Sequence, residues 1–135
     1  AQLAHALHDL GIRPGDRVAT LAWNGYRHFE IYYAASGMGA VCHTINPRLA
    51  ADQLAYIVNH AADRVLFVDA NLLPLVAELK QRAPALEKIV VMTDIANMPD
   101  PKPASALCYE DLIKDHPKTF DWPEFDENTA AALCY

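Results

Sequence analysis

Residues 15–69 read GDRVATLAWNGYRHFEIYYAASGMGAVCHTINPRLAADQLAYIVNHAADRVLFVD, and short apolar runs alternate in this stretch with segments of helical period. Three runs have the length and composition of buried strands: 18–22 (VATLA), 41–45 (VCHTI) and 65–68 (VLFV). Each is almost wholly apolar, without a regular polar alternation, which is typical of parallel strands that helices cover on both faces. The stretch therefore predicts an α/β fold with a largely parallel sheet and flanking helices.

The same alternation continues on both sides of this stretch. A fourth strand is predicted at 89–92 (IVVM), and a further strand begins at 131–135 (AALCY). Right-handed crossovers between such strands would give a doubly wound topology. The predicted inner faces of the helices are Leu3, Ala6, Leu7 and Leu10; Phe29, Tyr32, Tyr33 and Ser36; Leu54, Ile57, Val58 and Ala61; and Leu72, Leu75, Val76 and Leu79.

Three segments follow one another along the chain. Residues 1–93 form the alternating helix and strand unit, and residues 94–128 are predicted to be an irregular connection that begins with a proline-rich stretch. Within that connection we expect a short helix at 109–116 and an aromatic clamp around Trp122. Residues 129–135 start a further strand, so the whole chain is predicted to be part of a domain.

Composition narrows the class of protein. The 135 residues fit one domain or part of one, and no apolar run approaches the length of a membrane helix. A net charge of -6 with scattered basic residues argues against nucleic acid as a partner. The three cysteines are widely spaced, which is typical of a protein whose thiols stay reduced, and no signal peptide is evident. We therefore expect a soluble, cytoplasmic protein. Cys42 and Cys134 are expected to be buried.

Motifs for bound phosphate are missing from the places where such a sheet usually carries them. The first strand is followed by WNGYRH and not by a glycine-rich dinucleotide loop, and no P-loop occurs elsewhere. No set of Cys, His and carboxylates has metal-ligand spacing. Acidic residues such as Asp63 and Asp69 are expected to cap turns and helix ends. The sequence assigns no catalytic residue, no metal ligand and no cofactor-binding residue.

Two loops remain as candidate pocket-adjacent segments, because open parallel sheets bind ligands at the carboxyl ends of their strands. His43, Asn46 and Arg48 are associated with the end of the second strand, and Trp23 and Asn24 follow the first. Each loop also has a purely structural interpretation. In the second loop, for instance, Asn46 would cap a rigid turn that the adjoining proline fixes.

A family resemblance rests on four motifs in a fixed order: GDRVA at 15–19, HTINPRL at 43–49, IVNHA at 57–61 and VLFVD at 65–69. In this order and spacing the chain resembles the N-terminal part of bacterial medium- and long-chain fatty acyl-CoA synthetases, members of the adenylate-forming (AMP-binding) superfamily. The likeness extends over nearly all of the chain. It implies that residues 1–135 are part of the N-terminal domain of an acyl-CoA synthetase-like fold.

The resemblance implies a two-step reaction in the full enzyme. A fatty carboxylate attacks the α-phosphate of ATP, and the CoA thiol then displaces AMP from the acyl adenylate. ATP, Mg²⁺ and CoA are expected for the full enzyme and none for this segment, because the phosphate loop of such enzymes follows a strand similar to 131–135. We therefore expect a noncatalytic scaffold, whose catalytic residues lie beyond Tyr135.

Other interpretations stay open at this point. The chain could be an independent α/β binding or dimerisation module similar to a flavodoxin or to half of a Rossmann fold, with a homodimer as its assembly. It could also belong to an adenylate-forming ligase for another carboxylic acid, such as an aryl acid. Nothing before Tyr135 determines the length of the acyl chain.

Overall fold

The computed structural model describes residues 1–101 and 105–135, and their side chains except those of residues 78 and 80. In these residues six strands form one sheet with five α-helices around it. The elements are α1 (Gln2–Asp9), β1 (Arg17–Leu21), α2 (Tyr26–Gly37), β2 (Val41–Thr44), α3 (Ala51–Ala61), β3 (Val65–Val68), α4 (Leu73–Arg82), β4 (Lys88–Val91), β5 (Ala106–Cys108), α5 (Tyr109–Ile113) and β6 (Ala132–Leu133). Short 3₁₀ turns occupy Ala70–Leu72 and Ile95–Asn97.

The strand order is β5-β4-β3-β1-β2-β6, and every neighbouring pair is parallel. From β2 to β5 this is the flavodoxin-like order of a doubly wound sheet, and β6 extends it beyond β2. The register aligns Val18 with Cys42 on one side and with Val65 on the other. The α/β fold with a parallel sheet and flanking helices is therefore confirmed.

Each face of the sheet carries its own apolar core. One core joins the sheet to α1, α2 and α5, and its largest fully buried side chains include Phe67 and Tyr109. The other joins the sheet to α3 and α4 through residues such as Leu54 and Leu66. Because consecutive strand residues point to opposite faces, the unbroken apolar runs supply both cores at once.

The predicted inner face of α2 is wrong. Phe29 and Tyr33 are 62% and 65% exposed, and Tyr32 is also exposed, whereas the buried residues of α2 are His28, Ile31, Ala34 and Ala35. The helix thus places its small residues against the sheet, which allows a close approach of the two backbones. The aromatic stripe has helical period as well, but it faces outward.

The connection after β4 contains more regular structure than the proline-rich composition predicts. The strand β5 pairs with β4 and leads directly into α5, which is shorter than the expected helix at 109–116. Residues 102–104 of that connection, including Pro103, lie outside the described part of the chain. Cys134 is exposed, against expectation, because β6 lies at the edge of the sheet; Cys42 is buried as expected.

The aromatic clamp expected around Trp122 is present. The Trp122 ring lies against Gly37 so closely that a Cβ atom built on Gly37 would come within 2.8 Å of it. Phe120 packs beside the indole, with 4.8 Å between ring centroids, and Phe125 covers Gly39. These contacts hold the segment after α5 against the end of α2. In the described residues no helix has the length and apolarity needed to cross a membrane.

Candidate functional site

A crevice is expected where neighbouring strands of the sheet send their connections to opposite faces. The strand β1 continues into α2 on one face, and its neighbour β3 continues through a 3₁₀ turn into α4 on the other face. Since all strands are parallel, both connections leave from the carboxyl edge of the sheet. The topological switch point therefore lies between β1 and β3, and we take this edge as the candidate site.

Trp23 stands at the switch point and links the two strands. Its backbone N–H donates to Asp69 Oδ2 over 2.7 Å, and the Asp69 N–H donates to the Leu21 carbonyl over 3.2 Å. Asp69 therefore does not cap the following 3₁₀ turn with its side chain, as the sequence analysis expected, but fixes the loop after β1. The Trp23 indole is 45% exposed, and Asn24 beside it is exposed.

His28, in the first turn of α2, holds the same loop by a hydrogen bond. Its Nδ1 donates to the Trp23 carbonyl over 3.2 Å, because a carbonyl oxygen can only accept. In the neutral imidazole Nε2 then accepts from the Thr20 hydroxyl, 2.9 Å away. Both backbone polar groups of Trp23 are thus bound by side chains from other elements. His28 is a buried positioning group, and both of its ring nitrogens are already engaged.

The loop after β2 is a compact turn. Asn46 Oδ1 accepts from the Arg48 N–H over 3.0 Å, and the Asn46 carbonyl accepts from the Leu49 N–H. This local pattern is the capped turn of the structural interpretation. Asn46 and Arg48 are exposed at the carboxyl edge, where the sheet places them one strand away from Trp23.

His43 does not belong to this edge. It lies within β2, its side chain is fully buried on the α3 face, and its Nδ1 donates to Asp63 Oδ2 over 2.7 Å. Asp63 precedes β3 at the amino edge of the sheet and is also fully buried, so it is a partner of His43 and not a cap. Burial raises the pKa of the Asp63 carboxyl, an effect that the hydrogen bond from His43 opposes.

The second polar atom of each partner in this pair is unpaired. His43 Nε2 and Asp63 Oδ1 are buried and have no hydrogen-bond partner in the described residues. The Tyr135 ring covers the imidazole, with 5.2 Å between centroids, and the Tyr135 hydroxyl is 2.5 Å from His60 Nδ1. The pair is not apparent in the sequence, because 20 residues separate its members and no motif relates them.

Two charged groups at the start of α2 and α5 are paired with each other. At the start of α2, Arg27 contacts Glu110 of α5 at 2.7 Å, and Tyr26 donates its hydroxyl proton to the same carboxylate. Among residues 1–101 and 105–135, His, Cys, Asp and Glu side chains do not gather in threes that could hold a metal ion.

Comparison with known proteins gives consistent matches across the chain. The sequence is 50% identical to 3-methylmercaptopropionyl-CoA ligase of Ruegeria lacuscaerulensis over 99% of this chain and 25% of that protein. It is 45% identical to medium-chain-fatty-acid–CoA ligase of Ectopseudomonas oleovorans, over 99% of this chain and 24% of the relative. The chain thus spans about a quarter of the length of these curated relatives.

Solved structures agree with the fold. The anthranilate CoA ligase AuaEII, in complex with anthranoyl-AMP, superimposes with a TM-score of 0.85 at 26% identity, over 98% of this chain and 23% of that one. The sequence profile of the family described as "AMP-binding enzyme" matches residues 1–135. The α/β sheet, the relatives and the profile lead to one assignment: the chain belongs to the AMP-binding enzyme family.

Proposed function

We propose that residues 1–135 are the sheet-bearing N-terminal part of an acid–CoA ligase. In the full enzyme a carboxylic acid is joined to CoA through an acyl adenylate, at the expense of ATP. The observation that carries the proposal is the topological switch point between β1 and β3, where the Trp23 loop is fixed at both of its backbone polar groups. Family membership gives that switch point its chemical context.

The role of this chain in the full enzyme is to position the loops that follow β1 and β2. The Asp69 carboxylate and the His28 imidazole hold the Trp23 loop rigid, and such anchoring keeps exposed residues in one geometry when a ligand arrives. Trp23 and Asn24 on one loop, and Asn46 and Arg48 on the next, would then line or brace the pocket of the full enzyme. His43 would act indirectly, by fixing β2 beneath the second loop. ATP, Mg²⁺ and CoA would bind to residues outside this chain.

We further propose a fatty acid as the carboxylic acid substrate. The relative from Ectopseudomonas oleovorans, a medium-chain-fatty-acid–CoA ligase, supports this choice, as does the order of the GDRVA, HTINPRL and VLFVD motifs. The relative from Ruegeria lacuscaerulensis, a 3-methylmercaptopropionyl-CoA ligase, favours a short thioether acid as the second candidate.

A substrate panel tests the proposal. The full-length protein that contains these residues would be incubated with ATP, Mg²⁺, CoA and one acid at a time: octanoate, palmitate, 3-methylmercaptopropionate or anthranilate. Thioester formation would be measured by mass spectrometry. We expect the highest kcat/KM with a fatty acid. A preference for the thioether acid or the aryl acid would refute the substrate proposal, and the absence of thioester with every acid would count against ligase activity itself.

The same assay tests the role of the Trp23 loop. Asp69→Ala removes the acceptor of the Trp23 N–H, and Asp52→Ala, on the exposed surface of α3, serves as the matched control. We expect Asp69→Ala to lower kcat/KM by about tenfold, because one lost hydrogen bond to a charged group corresponds to about 1.5 kcal/mol. Equal activity of the two variants would show that the Trp23 loop does not serve the reaction.

A further inference from the structure

The first turn of α2 carries a charge that opposes the helix dipole. Arg27 lies in this turn, where the partial positive charge of the helix N-terminus disfavours a cation. Gly25, at the N-cap position, has no side chain that could accept from the free backbone N–H groups, and the turn contains no acidic residue. The sequence of α2 therefore does not by itself stabilise the point at which the helix begins.

A carboxylate from α5 supplies what this turn lacks. Glu110 Oε1 accepts from Arg27 Nε over 2.7 Å, and Arg27 Nη2 lies 2.7 Å from the same oxygen. The Tyr26 hydroxyl also donates to Glu110 Oε1, over 2.6 Å. The Arg27 guanidinium lies 4.7 Å from the centre of the Tyr26 ring, a distance at which a cation is attracted to an aromatic face. These three side chains form one cluster at the start of α2.

Glu110 is held in a fixed position relative to the sheet. The helix α5 begins directly at the end of β5, which pairs with β4, and the Glu110 N–H donates to the Thr93 carbonyl over 3.3 Å. The preceding residue, Tyr109, is fully buried, and its ring lies 6.1 Å from that of Phe67 in β3. The Tyr109 hydroxyl donates to Glu30 Oε2 over 2.5 Å, which joins α5 to α2 a second time.

The first turn of α2 is continuous with the Trp23 loop. Only two residues separate Trp23 from the helix. His28 follows Arg27 in the turn, and its Nδ1 holds the Trp23 carbonyl over 3.2 Å. If the turn moved, His28 would lose that carbonyl, and of the two anchors described above the Asp69 carboxylate alone would remain.

We propose that Glu110 is a positioning residue of the ligase. Its carboxylate fixes Arg27 and with it the first turn of α2, and this turn fixes the Trp23 loop at the candidate site. Glu110 acts from a distance, because β4 and β3 lie between β5 and β1 in the sheet. The inference rests on the proposed function, since it takes the Trp23 loop as part of the pocket of the full enzyme.

The chain offers a matched control in α5 itself. Asp111 follows Glu110 and is also a carboxylate in an ion pair, but its partner Lys114 lies three residues further along the same segment. Asp111→Ala therefore removes the same charge as Glu110→Ala without removing an ion pair to α2. A second variant, Glu110→Gln, keeps an acceptor oxygen in the same place and removes only the charge.

The first test is amide hydrogen exchange of the full-length protein, read by mass spectrometry at Trp23 and Phe29. The Trp23 N–H is held by Asp69, and the Phe29 N–H makes the first intrahelical hydrogen bond of α2. We expect Glu110→Ala to speed exchange at both amides by about fivefold, which is the upper range for a partly exposed ion pair, and to leave β1 unchanged. Glu110→Gln should give a smaller increase and Asp111→Ala none. Unchanged rates in Glu110→Ala, or equal rates in the two alanine variants, would overturn the proposal.

The kinetics of acyl-CoA formation test whether Glu110 acts through the Trp23 loop. We expect Glu110→Ala to lower kcat/KM by about fivefold and the double variant Asp69→Ala/Glu110→Ala by about tenfold, the loss expected for Asp69→Ala alone. Two residues that act independently would multiply their effects to about fiftyfold. A fiftyfold loss in the double variant, or a kcat/KM of Glu110→Ala equal to that of wild type, would overturn the positioning role.

The exchange measurement is independent of the reaction. A full-length protein that forms no thioester with any acid, but whose Trp23 amide exchanges faster in Glu110→Ala, would refute the proposed function and leave the anchoring of the Trp23 loop by Glu110 standing. A ligase whose exchange rates and kcat/KM are the same in Glu110→Ala and wild type would refute the inference and leave the proposed function standing.

Discussion

Replacing Asp63 by alanine is expected to destabilise the protein strongly. The carboxylate accepts from His43 Nδ1 over 2.7 Å, and both side chains are 0% exposed. Because His43 Nε2 has no partner in the described residues, Asp63→Ala leaves a buried imidazole without any hydrogen bond. Leaving a buried hydrogen-bonding group without its partner costs about 1–3 kcal/mol of unfolding free energy, and the cavity left by the removed carboxyl adds to this cost. For a domain of this size the melting temperature should fall by roughly 5–10 °C.

The assay is urea unfolding followed by far-ultraviolet circular dichroism. Asp52→Ala is the matched control: Asp52 pairs with Arg82 at the same distance of 2.7 Å, but its side chain is 88% exposed. Exposed pairs contribute about 0–1 kcal/mol, so the control should lose little. A loss of less than about 1 kcal/mol in Asp63→Ala, or equal losses in the two variants, would show that the buried hydrogen bond does not stabilise the fold.

The contribution of Asp63 to the free energy of unfolding should also depend on pH. Burial raises the folded-state pKa of Asp63 above its unfolded value near 4, so the folded protein binds this proton more readily. The stability that Asp63 contributes is then largest below the unfolded pKa, and it declines as the pH rises through the folded pKa. The unfolding free energy of wild type minus that of Asp63→Asn should therefore become smaller as the pH rises. A shift in the opposite direction would contradict the burial argument.

Two further predictions concern the end of α2 and the thiols. Gly37→Ala places a methyl group within 2.8 Å of the Trp122 ring, so the ring has to move. In a Trp23→Phe background, the fluorescence emission of Trp122 should therefore shift. Gly25→Ala is the control, because its methyl group meets nothing within 4 Å and should leave the emission unchanged. Cys134 should react rapidly with a thiol reagent at pH 8 because it is exposed, whereas Cys42 should react only on unfolding, since burial raises its pKa to about 12. Equal emission shifts in the two glycine variants, or prompt labelling of the buried thiol, would count against these contacts.

The strands were predictable because their signal is local. The runs at 18–22, 41–45 and 65–68 are apolar in consecutive residues, and the structure places β1, β2 and β3 there within one residue at either end. The strand β5 was missed because it has only three residues. A run of three residues is too short to show a period.

The face of α2 shows why helical period alone misleads. Both the aromatic stripe and the small-residue stripe repeat at helical spacing. The sheet accepts Ala34 and Ala35, and the larger rings remain outside. Period identifies a face, but the space available beside the sheet decides which face is buried.

The candidate site was predictable only in position. Parallel strands indicate the carboxyl edge, and the loops with Trp23 and Asn46 are found there. The anchors of Trp23 were not predictable, because Asp69 lies 46 residues away in the chain. His43 was attributed to the same edge because it is near the end of a strand, although strand alternation directs its side chain to the α3 face.

We propose that this chain supports the chemistry of an acid–CoA ligase without supplying it. The decisive measurement is ATP–pyrophosphate exchange dependent on a fatty acid, made side by side on the full-length protein and on residues 1–135. We predict exchange with the full-length protein and none with residues 1–135. Exchange catalysed by residues 1–135 alone, or none by a folded full-length protein with any acid of the panel, would contradict the account.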